Sequence, residues 1–529
     1  MITGALPVLA FPDANLEFVA WFGLVPGLLL MRAAPSAREA AVRGWWFGTG
    51  FLLAGLYWLA PELGPALLLV AVVLGVLWTG VAVSTWVLLR SPVSGPRALG
   101  ALVVVPSFWL VVEWIRSWQA LGGPWAVLGA SQWQHPAILA LAAVGGVWLV
   151  SFAIVAANMG ILIAAVAGRV ALRGLGALVT AVVIAAGPVA FALTPAAPVA
   201  RHVTIALVQP GVQRNATTRA DASLRLTAAF SRSGALHRDH PALIVWGESS
   251  VAFDLREDAR LLGQIEALSA AGRADILVNQ DSVQNATKAK VAVLVGPDGV
   301  VGEYVKTRLV PFGEYIPFRQ QLSWLTSISK AATVNMVPGT GARNLRAAVP
   351  GGPPLSIGVL ICFESAFPDM SRVDTDHGAQ VIIYQTADST FQGTWALGQH
   401  ASLGALRAAE TGRPVVQAAL TGDSAAFDAR GRQLSWLGQS RSGVVLARLD
   451  LPSAAARTPY DRLGDFVPWI ALAIAVIFAA AGSLRSGHPG RLPRIFSGDK
   501  QRRAASVSQP EDSPRSGVLT GHNPDDSVS

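Results

Sequence analysis

The sequence predicts a bundle of membrane-crossing α-helices followed by an α/β domain outside the membrane, and three observations carry that expectation. With 52% hydrophobic and 14% charged residues in 529, and a mean hydropathy of +0.45, the chain is too apolar for an ordinary soluble protein. Its longest apolar runs are near or above the roughly 20 residues needed to cross a bilayer core, and nearly all of them precede residue 195. Between about 200 and 464 the texture changes to short apolar strands alternating with helix-compatible stretches, the pattern of a sheet buried on both faces.

Apolar runs at 1–11 and 16–31, broken by Pro12, Asp13, Ala14 and Asn15, read as a hairpin of spans. A cleaved signal peptide is the competing reading, disfavoured because no basic segment precedes residue 11. The first run is short, as expected of a chain whose true start lies upstream. Further runs occupy about 44–60, 66–89, 98–115, 137–168, 174–194 and 466–484. Arginines orient them. Arg32, Arg38 and Arg43 share one loop, Arg90 and Arg97 another, Arg169 and Arg173 a third, while the alternate loops hold only Arg116. By the positive-inside rule the arginine side is cytoplasmic, and the basic residues from Arg485 to Arg503 agree with it independently. The expectation is about eight spans with both termini cytoplasmic: a bundle at 1–194, an extracytoplasmic domain at 195–464, a last span at 465–485 and a disordered tail at 486–529.

Topology thus accounts for the net charge of +8, and no basic-aromatic stripe points to nucleic acid. Tryptophans near span ends, among them Trp58, Trp125 and Trp133, read as an interfacial belt. Glu113 lies inside an apolar run, where an ionisable group either has a role or is partnered by Arg116 at i,i+3.

In the α/β part, strands are expected at His202–Val208, Ala242–Trp246, Asp275–Asn279, Val291–Val295, Leu355–Ile361, Gln380–Tyr384, Pro414–Ala419 and Gly443–Leu449. Helices fit at about 219–236, 256–271 and 396–411. Reacting groups in α/β sheets cluster at strand ends, and three such ends stand out. The run Leu355–Ile361 delivers Cys362, the chain's single cysteine, which is either a small core hydrophobe or a nucleophile. Ala242–Trp246 delivers Glu248, a carboxylate beside an aromatic residue and suited to act as a general base. Lys306 follows a Gly-Pro-Asp-Gly turn and offers an ammonium for a developing oxyanion. A thiol is mostly neutral at pH 7 and needs a base to attack a carbonyl. The histidines form no recognisable Cys-His signature, so Glu-Lys-Cys is the favoured set. Nothing reads as a metal site, a phosphate loop or a dinucleotide fingerprint, and no cofactor is expected.

On these residues the α/β part resembles the carbon–nitrogen hydrolase, or nitrilase, superfamily, whose members use Glu, Lys and Cys in this chain order on an αββα sandwich. The carrying stretches are Ile244–Ser249, Lys306–Tyr315, with its Leu-Val-Pro-Phe-Gly-Glu-Tyr run, Gly358–Glu364, and Gly412–Pro414 with Thr421–Gly422. Together with Pro106–Glu113 and Gly123–Trp125 they make about residues 10–484 similar to the bacterial apolipoprotein N-acyltransferase family. That resemblance implies Glu248 as general base, Lys306 as oxyanion stabiliser and Cys362 as acylated nucleophile, with Glu314, Glu364 and Phe363 in supporting or substrate-binding positions. It implies a plasma-membrane acyltransferase that moves an acyl chain from a phospholipid, through a thioester, to the N-terminal diacylglyceryl-cysteine of apolipoproteins. A polyprenol-phosphate mannosyltransferase is an implied partner. Where the family has Trp-Pro-Glu this chain has Trp246-Gly-Glu248, where it has Cys-Tyr-Glu the chain has Cys362-Phe-Glu364, and an Asn-Asp-Ala-Trp-Phe-like stretch becomes Ala387–Phe391. The rival readings are a membrane-anchored amidase or nitrile hydrolase with the same triad, and a non-catalytic scaffold.

Overall fold

The computed structural model describes residues 1–212, 216–233, 239–284, 287–317, 319–322 and 335–485; the tail expected at 486–529 lies outside them. Met1–Gly482 form one compact unit and Ser483–Ser529 another. Among the described residues, five helices are long and apolar enough to cross a membrane: Ala66–Leu89, Gly95–Arg116, Ala142–Val166, Val170–Leu193 and Phe466–Leu484. The other three expected runs take different forms. Ala37–Gly55 is a 19-residue helix that opens with Arg38, Glu39 and Arg43, the last ion-paired to Glu39 at 3.0 Å. Residues 2–32 break into the short pieces Ile2–Ala5, Leu6–Ala10, Glu17–Trp21 and Val25–Arg32. Prolines set two of these starts, Pro7 and Pro26 each standing in a first turn, where the missing N–H costs nothing.

Helix Ala142–Val166 is the centre of the bundle, 67% of its apolar window being buried, whereas Val170–Leu193, at 11%, lies on the periphery. The central helix breaks at Gly145 and Gly146. Gly146 has φ +70°, and a Cβ there would lie 2.6 Å from the Tyr460 ring, so only glycine fits. The backbone N–H of Val147, which opens the second half, donates to Glu410 Oε1 at 2.7 Å. A carboxylate at a helix N-terminus is favourably placed, and this one comes from the α/β part.

That part holds two six-stranded sheets. The first contains β1 (Val199–Gln209), β2 (Leu243–Trp246), β3 (Asp275–Gln284), β4 (Thr287–Gly296) and β5 (Gly299–Val305); the second contains β6 (Leu345–Ala347), β7 (Leu355–Ile361), β8 (Val381–Thr386), β9 (Val415–Ala419), β10 (Ser424–Phe427) and β11 (Gln433–Leu437). The last strand, β12 (Gly443–Pro452), returns to the first sheet, whose order is β12-β1-β2-β3-β4-β5, while the second runs β11-β10-β9-β8-β7-β6. Parallel pairing joins β1, β2 and β3 in one sheet and β7, β8 and β9 in the other, so their carboxyl ends come together within each sheet. Ile205, Leu207 and Val245 pack against Ile357, Val359 and Ile383 between the sheets. Helices Ala216–Arg232 and Ala259–Gly272 cover the outer face of the first sheet. On the second, every residue of Ala396–Thr411 is buried, because membrane-half residues continue the same core on its far side. The layers are those of the expected αββα sandwich.

Candidate active site

Glu248, Lys306 and Cys362, from three separate loops, meet at the strand ends. β2 is buried along its whole length and stops at Trp246. A Cβ on the next residue, Gly247, would lie 2.0 Å from the Leu420 backbone nitrogen, so the close pass of these loops admits no side chain. That is the physical reason for glycine where the resemblance leads one to expect proline. Glu248 is then pinned by its backbone N–H, which donates to the Thr386 carbonyl at 3.1 Å. Lys306 follows β5, only 1% of its side chain is exposed, and its Nζ donates to Glu314 Oε1 at 2.7 Å and Glu248 Oε1 at 3.3 Å. Glu314 uses its other oxygen to accept from the Val310 N–H at 2.9 Å. Cys362 ends β7 at φ +52°, in the left-handed region that side chains other than glycine rarely occupy. Such strain, of order 1–3 kcal/mol, persists where surrounding contacts enforce it, typically at functional sites. The thiol is half-buried and lies within electrostatic reach of Glu248 and Lys306.

The electrostatics suit this geometry. Burial pushes Glu248 up, but the ammoniums of Lys306 and Lys290 outweigh it and hold the carboxyl below its usual range. Burial pushes Lys306 down, but Glu314 and Glu248 outweigh it, so the ammonium stays charged well beyond the ordinary lysine range. Burial and then the Glu248 carboxylate push the Cys362 thiol up. At rest the site is therefore a carboxylate and an ammonium around a protonated thiol, which requires a base before it can attack.

The supporting residues hold this arrangement together. Glu364 Oε1 accepts from Tyr304 Oη at 2.8 Å and from the backbone N–H groups of Thr307 at 2.7 Å and Arg308 at 3.0 Å, and its Oε2 accepts from the Ile361 N–H at 2.8 Å. One buried carboxylate thus ties the Lys306 loop to the Cys362 turn. Phe363 is 4% exposed and stacks edge-on with Phe367 at 4.9 Å; a Cβ on Gly123 of the membrane half would lie 3.0 Å from its ring.

Membrane-half residues form one wall of the site. Glu113 Oε1 accepts from Trp109 Nε1 and the Leu128 N–H, both at 2.8 Å, while Arg116 donates to the carbonyls of Trp125 and Ala126 at 2.5 and 3.2 Å. Of the two readings of Glu113, the structure gives it a role: with Arg116, it holds the loop after helix Gly95–Arg116. The loop delivers Trp125 against His400, ring centroids 5.5 Å apart. Trp58 stacks edge-on with Trp125 at 5.2 Å and Phe391 at 5.0 Å. These tryptophans line protein rather than lipid, which corrects the belt expectation for Trp58 and Trp125.

Three residues of this site were not singled out from the sequence. Lys290 lies opposite Asp281 in the β3–β4 register, bonds to it at 2.8 Å and reaches 3.5 Å from Glu248 Oε1. The antiparallel pairing of β3 with β4 was the available signal. Asp388 and His400 form a buried pair at 2.9 Å; Asp388 is the aspartate that 387–391 shares with the Asn-Asp-Ala-Trp-Phe-like stretch, and the pair leaves the changes at Ala387, Ser389 and Thr390 without a structural explanation. Cys362, Asp388 and His400 offer ligand atoms within 4.8 Å of one another, but both imidazole nitrogens are engaged in hydrogen bonds, which marks a hydrogen-bonded pair. His400 carries no Cys-His signature in the sequence because it stands 38 positions after Cys362, beyond helix Pro368–Asp376 and β8.

Comparison with known proteins places these residues in context. Residues 3–160 match the family described as "Apolipoprotein N-acyltransferase N-terminal domain", and residues 201–458 match "Carbon-nitrogen hydrolase". The chain is 33% identical over 452 residues to an apolipoprotein N-acyltransferase of Allorhizobium ampelinum, covering 79% of this chain and 81% of that one. It is 28% identical over 500 residues to one of Geobacter metallireducens, covering 91% and 94%. Among solved structures, Saccharomyces cerevisiae Nit3 of the nitrilase superfamily is similar at 15% identity and a TM-score of 0.35, over 57% of this chain and 100% of that one.

Proposed function

The chain belongs to the apolipoprotein N-acyltransferase family, and on that premise we propose that Glu248, Lys306 and Cys362 carry its two-step transfer. The protein is an acyltransferase that takes a fatty acyl chain from a membrane phospholipid and passes it, through a cysteine thioester, to the α-amino group of the N-terminal S-diacylglyceryl-cysteine of lipoproteins. The observation that carries the site assignment is the convergence of one carboxylate, one buried ammonium and the only thiol, with Lys306 Nζ 3.3 Å from Glu248 Oε1.

In the first half, Glu248 takes the Cys362 proton and the thiolate attacks the ester carbonyl of the phospholipid. Charge on the carbonyl oxygen develops beside the Lys306 ammonium, a preorganised donor of the kind that contributes most when water is excluded. The tetrahedral intermediate collapses with loss of the glycerol oxygen, which recovers the proton from Glu248 and leaves as a lysophospholipid. In the second half, the neutral amine attacks the thioester carbonyl, Glu248 accepts its proton and Lys306 again faces the oxyanion; collapse breaks the C–S bond and releases the amide, and Glu248 returns the proton so that Cys362 is regenerated as the thiol. Glu314 orients Lys306, and Glu364 holds the two loops in register. Gly123 against Phe363 and Trp125 against His400 support acyl-chain substrates over small soluble amides, since the membrane half itself forms a wall of the site. Mass spectrometry of a lipoprotein's N-terminal peptide, from cells with and without this protein, tests the reading: the third acyl chain should be present only with it. Unchanged triacylation without it refutes the assignment.

The finer topology belongs to the same reading. Residues 1–194 and 465–485 lie in the plasma membrane, 195–464 face out, and both termini are cytoplasmic; a polyprenol-phosphate mannosyltransferase partner rests on family resemblance alone. In a Cys362→Ala background, a cysteine introduced at Asp239 should react with an impermeant maleimide on intact cells, whereas one introduced at residue 500 should react only after permeabilisation. The reverse pattern would overturn the orientation.

A further inference from the structure

The left-handed turn at Cys362 is held from behind by groups outside the triad. Ser365 Oγ donates to the Cys362 carbonyl at 2.8 Å, and His400 Nε2 lies 2.8 Å from that hydroxyl and 3.2 Å from the same carbonyl. With the hydroxyl proton on the carbonyl, Ser365 accepts from His400, and the same assignment makes the 3.2 Å contact of Nε2 with the carbonyl a donor–acceptor one. On the opposite side of the ring, Nδ1 faces Asp388 Oδ1 at 2.9 Å. Every polar neighbour of the imidazole is thus an acceptor, so both nitrogens donate and the ring is held as an imidazolium. Burial alone would push His400 down, but the Asp388 carboxylate outweighs it and holds the group above its usual range. A ring so protonated has no lone pair for the thiol proton, and its polar contacts are to Ser365, the Cys362 carbonyl and Asp388 rather than to the thiol, which suits it to a task other than that of the base.

We propose that His400, clamped by Asp388, is the positioning residue of the nucleophile: it locks the Cys362–Ser365 turn so that the thiol faces Glu248 and Lys306, and it sets a positive charge beside the developing thiolate. The inference rests on reading Cys362 as the nucleophile. It also gives the wall from the membrane half a purpose, because Trp125 packs edge-on against this ring and excludes water from the side where the lock would otherwise loosen. Asp388 is secured in turn, its backbone N–H donating to the Thr421 carbonyl at 3.0 Å.

The test uses the full-length protein in detergent and two readouts: alkylation of Cys362, its only thiol, by iodoacetamide across pH, and single-turnover thioester formation from phospholipid. The charged groups acting on the thiol are Glu248, Lys306, Asp388 and Glu314, in addition to His400 itself. His400→Gln keeps a neutral donor and removes the charge. The alkylation midpoint should move to higher pH and thioester formation should slow by about 10²-fold, the size of effect expected from misplacing a reacting group, with little change in half-saturation by phospholipid. Ser365→Ala removes the hydroxyl but leaves the charge, so it should slow thioester formation without moving the midpoint. A wild-type midpoint and rate in His400→Gln overturns the proposal. If that variant does not fold, Ser365→Ala decides, and a wild-type rate in it overturns the lock. If the wild-type protein is alkylated at Cys362 yet forms no thioester, it is the nucleophile assignment that falls.

Discussion

Glu248→Gln should lower both half-reactions by about 10²–10⁴-fold, the usual worth of a general base. The amide is nearly isosteric and can still meet Lys306, so the loss reports the missing proton acceptor rather than collapse of the site. The alternative bases are poorly placed or wrongly charged. His400 is surrounded by acceptors, and Glu314 is committed to Lys306 and the Val310 N–H. Single-turnover kinetics should therefore show thioester formation and transfer to a diacylated peptide falling together. If transfer alone were blocked while the thioester formed at the wild-type rate, the thiol would have another base and the assignment of Glu248 to the first step would be wrong.

Lys306→Met should lower activity by about 10²–10³-fold, the cost of deleting one oxyanion donor. Two further effects separate it from Glu248→Gln. Removing one partner of a buried ionic network leaves the others uncompensated, at roughly 3–5 kcal/mol, so this variant should also unfold at markedly lower temperature. The pH profile should change in a definite direction. Lys306 is the larger of the two cationic influences that hold Glu248 below its usual range. Without it, Glu248 takes up its proton at higher pH, so the residual activity should rise with pH over a range in which the wild-type rate is flat. A Lys306→Met enzyme with wild-type thermal stability and an unshifted acid limb would mean that Lys306 is not coupled to Glu248 as the 3.3 Å contact implies.

The strands that deliver Glu248 and Cys362 were legible in the sequence because they are buried on both faces: β7 was expected at Leu355–Ile361 and has those bounds. The strands that were missed have physical reasons for being faint. β5, β6 and β11 are edge strands; β6 has three residues, and much of β5 and β11 is at least partly exposed, so none forms a continuous apolar run. β10, though fully buried, has only four residues, two of them alanines. The first two apolar runs read as continuous arms because composition was counted and the prolines inside them, at 7 and 26, were not; Pro12 was read as the break between them. Within the site, Glu248 and Cys362 could be read because each follows a strand visible in the sequence, and Lys306 because a Gly-Pro-Asp-Gly turn precedes it. Lys290 and the Asp388–His400 pair could not, since their roles depend on strand register and on a helix brought back from 38 residues away. The wall contributed by Gly123 and Trp125 was likewise invisible: it exists only once Glu113 and Arg116 fold the loop back onto the α/β part.

The most direct test of the account is intact-mass measurement of the purified protein after incubation with phospholipid, in the absence of any amine acceptor. Wild-type protein should gain the mass of one acyl chain, hydroxylamine should remove it, as it removes a thioester, and Cys362→Ala should gain nothing. An acyl adduct that persists in Cys362→Ala, or one that resists hydroxylamine in the wild type, would contradict the claim that transfer proceeds through a thioester at Cys362.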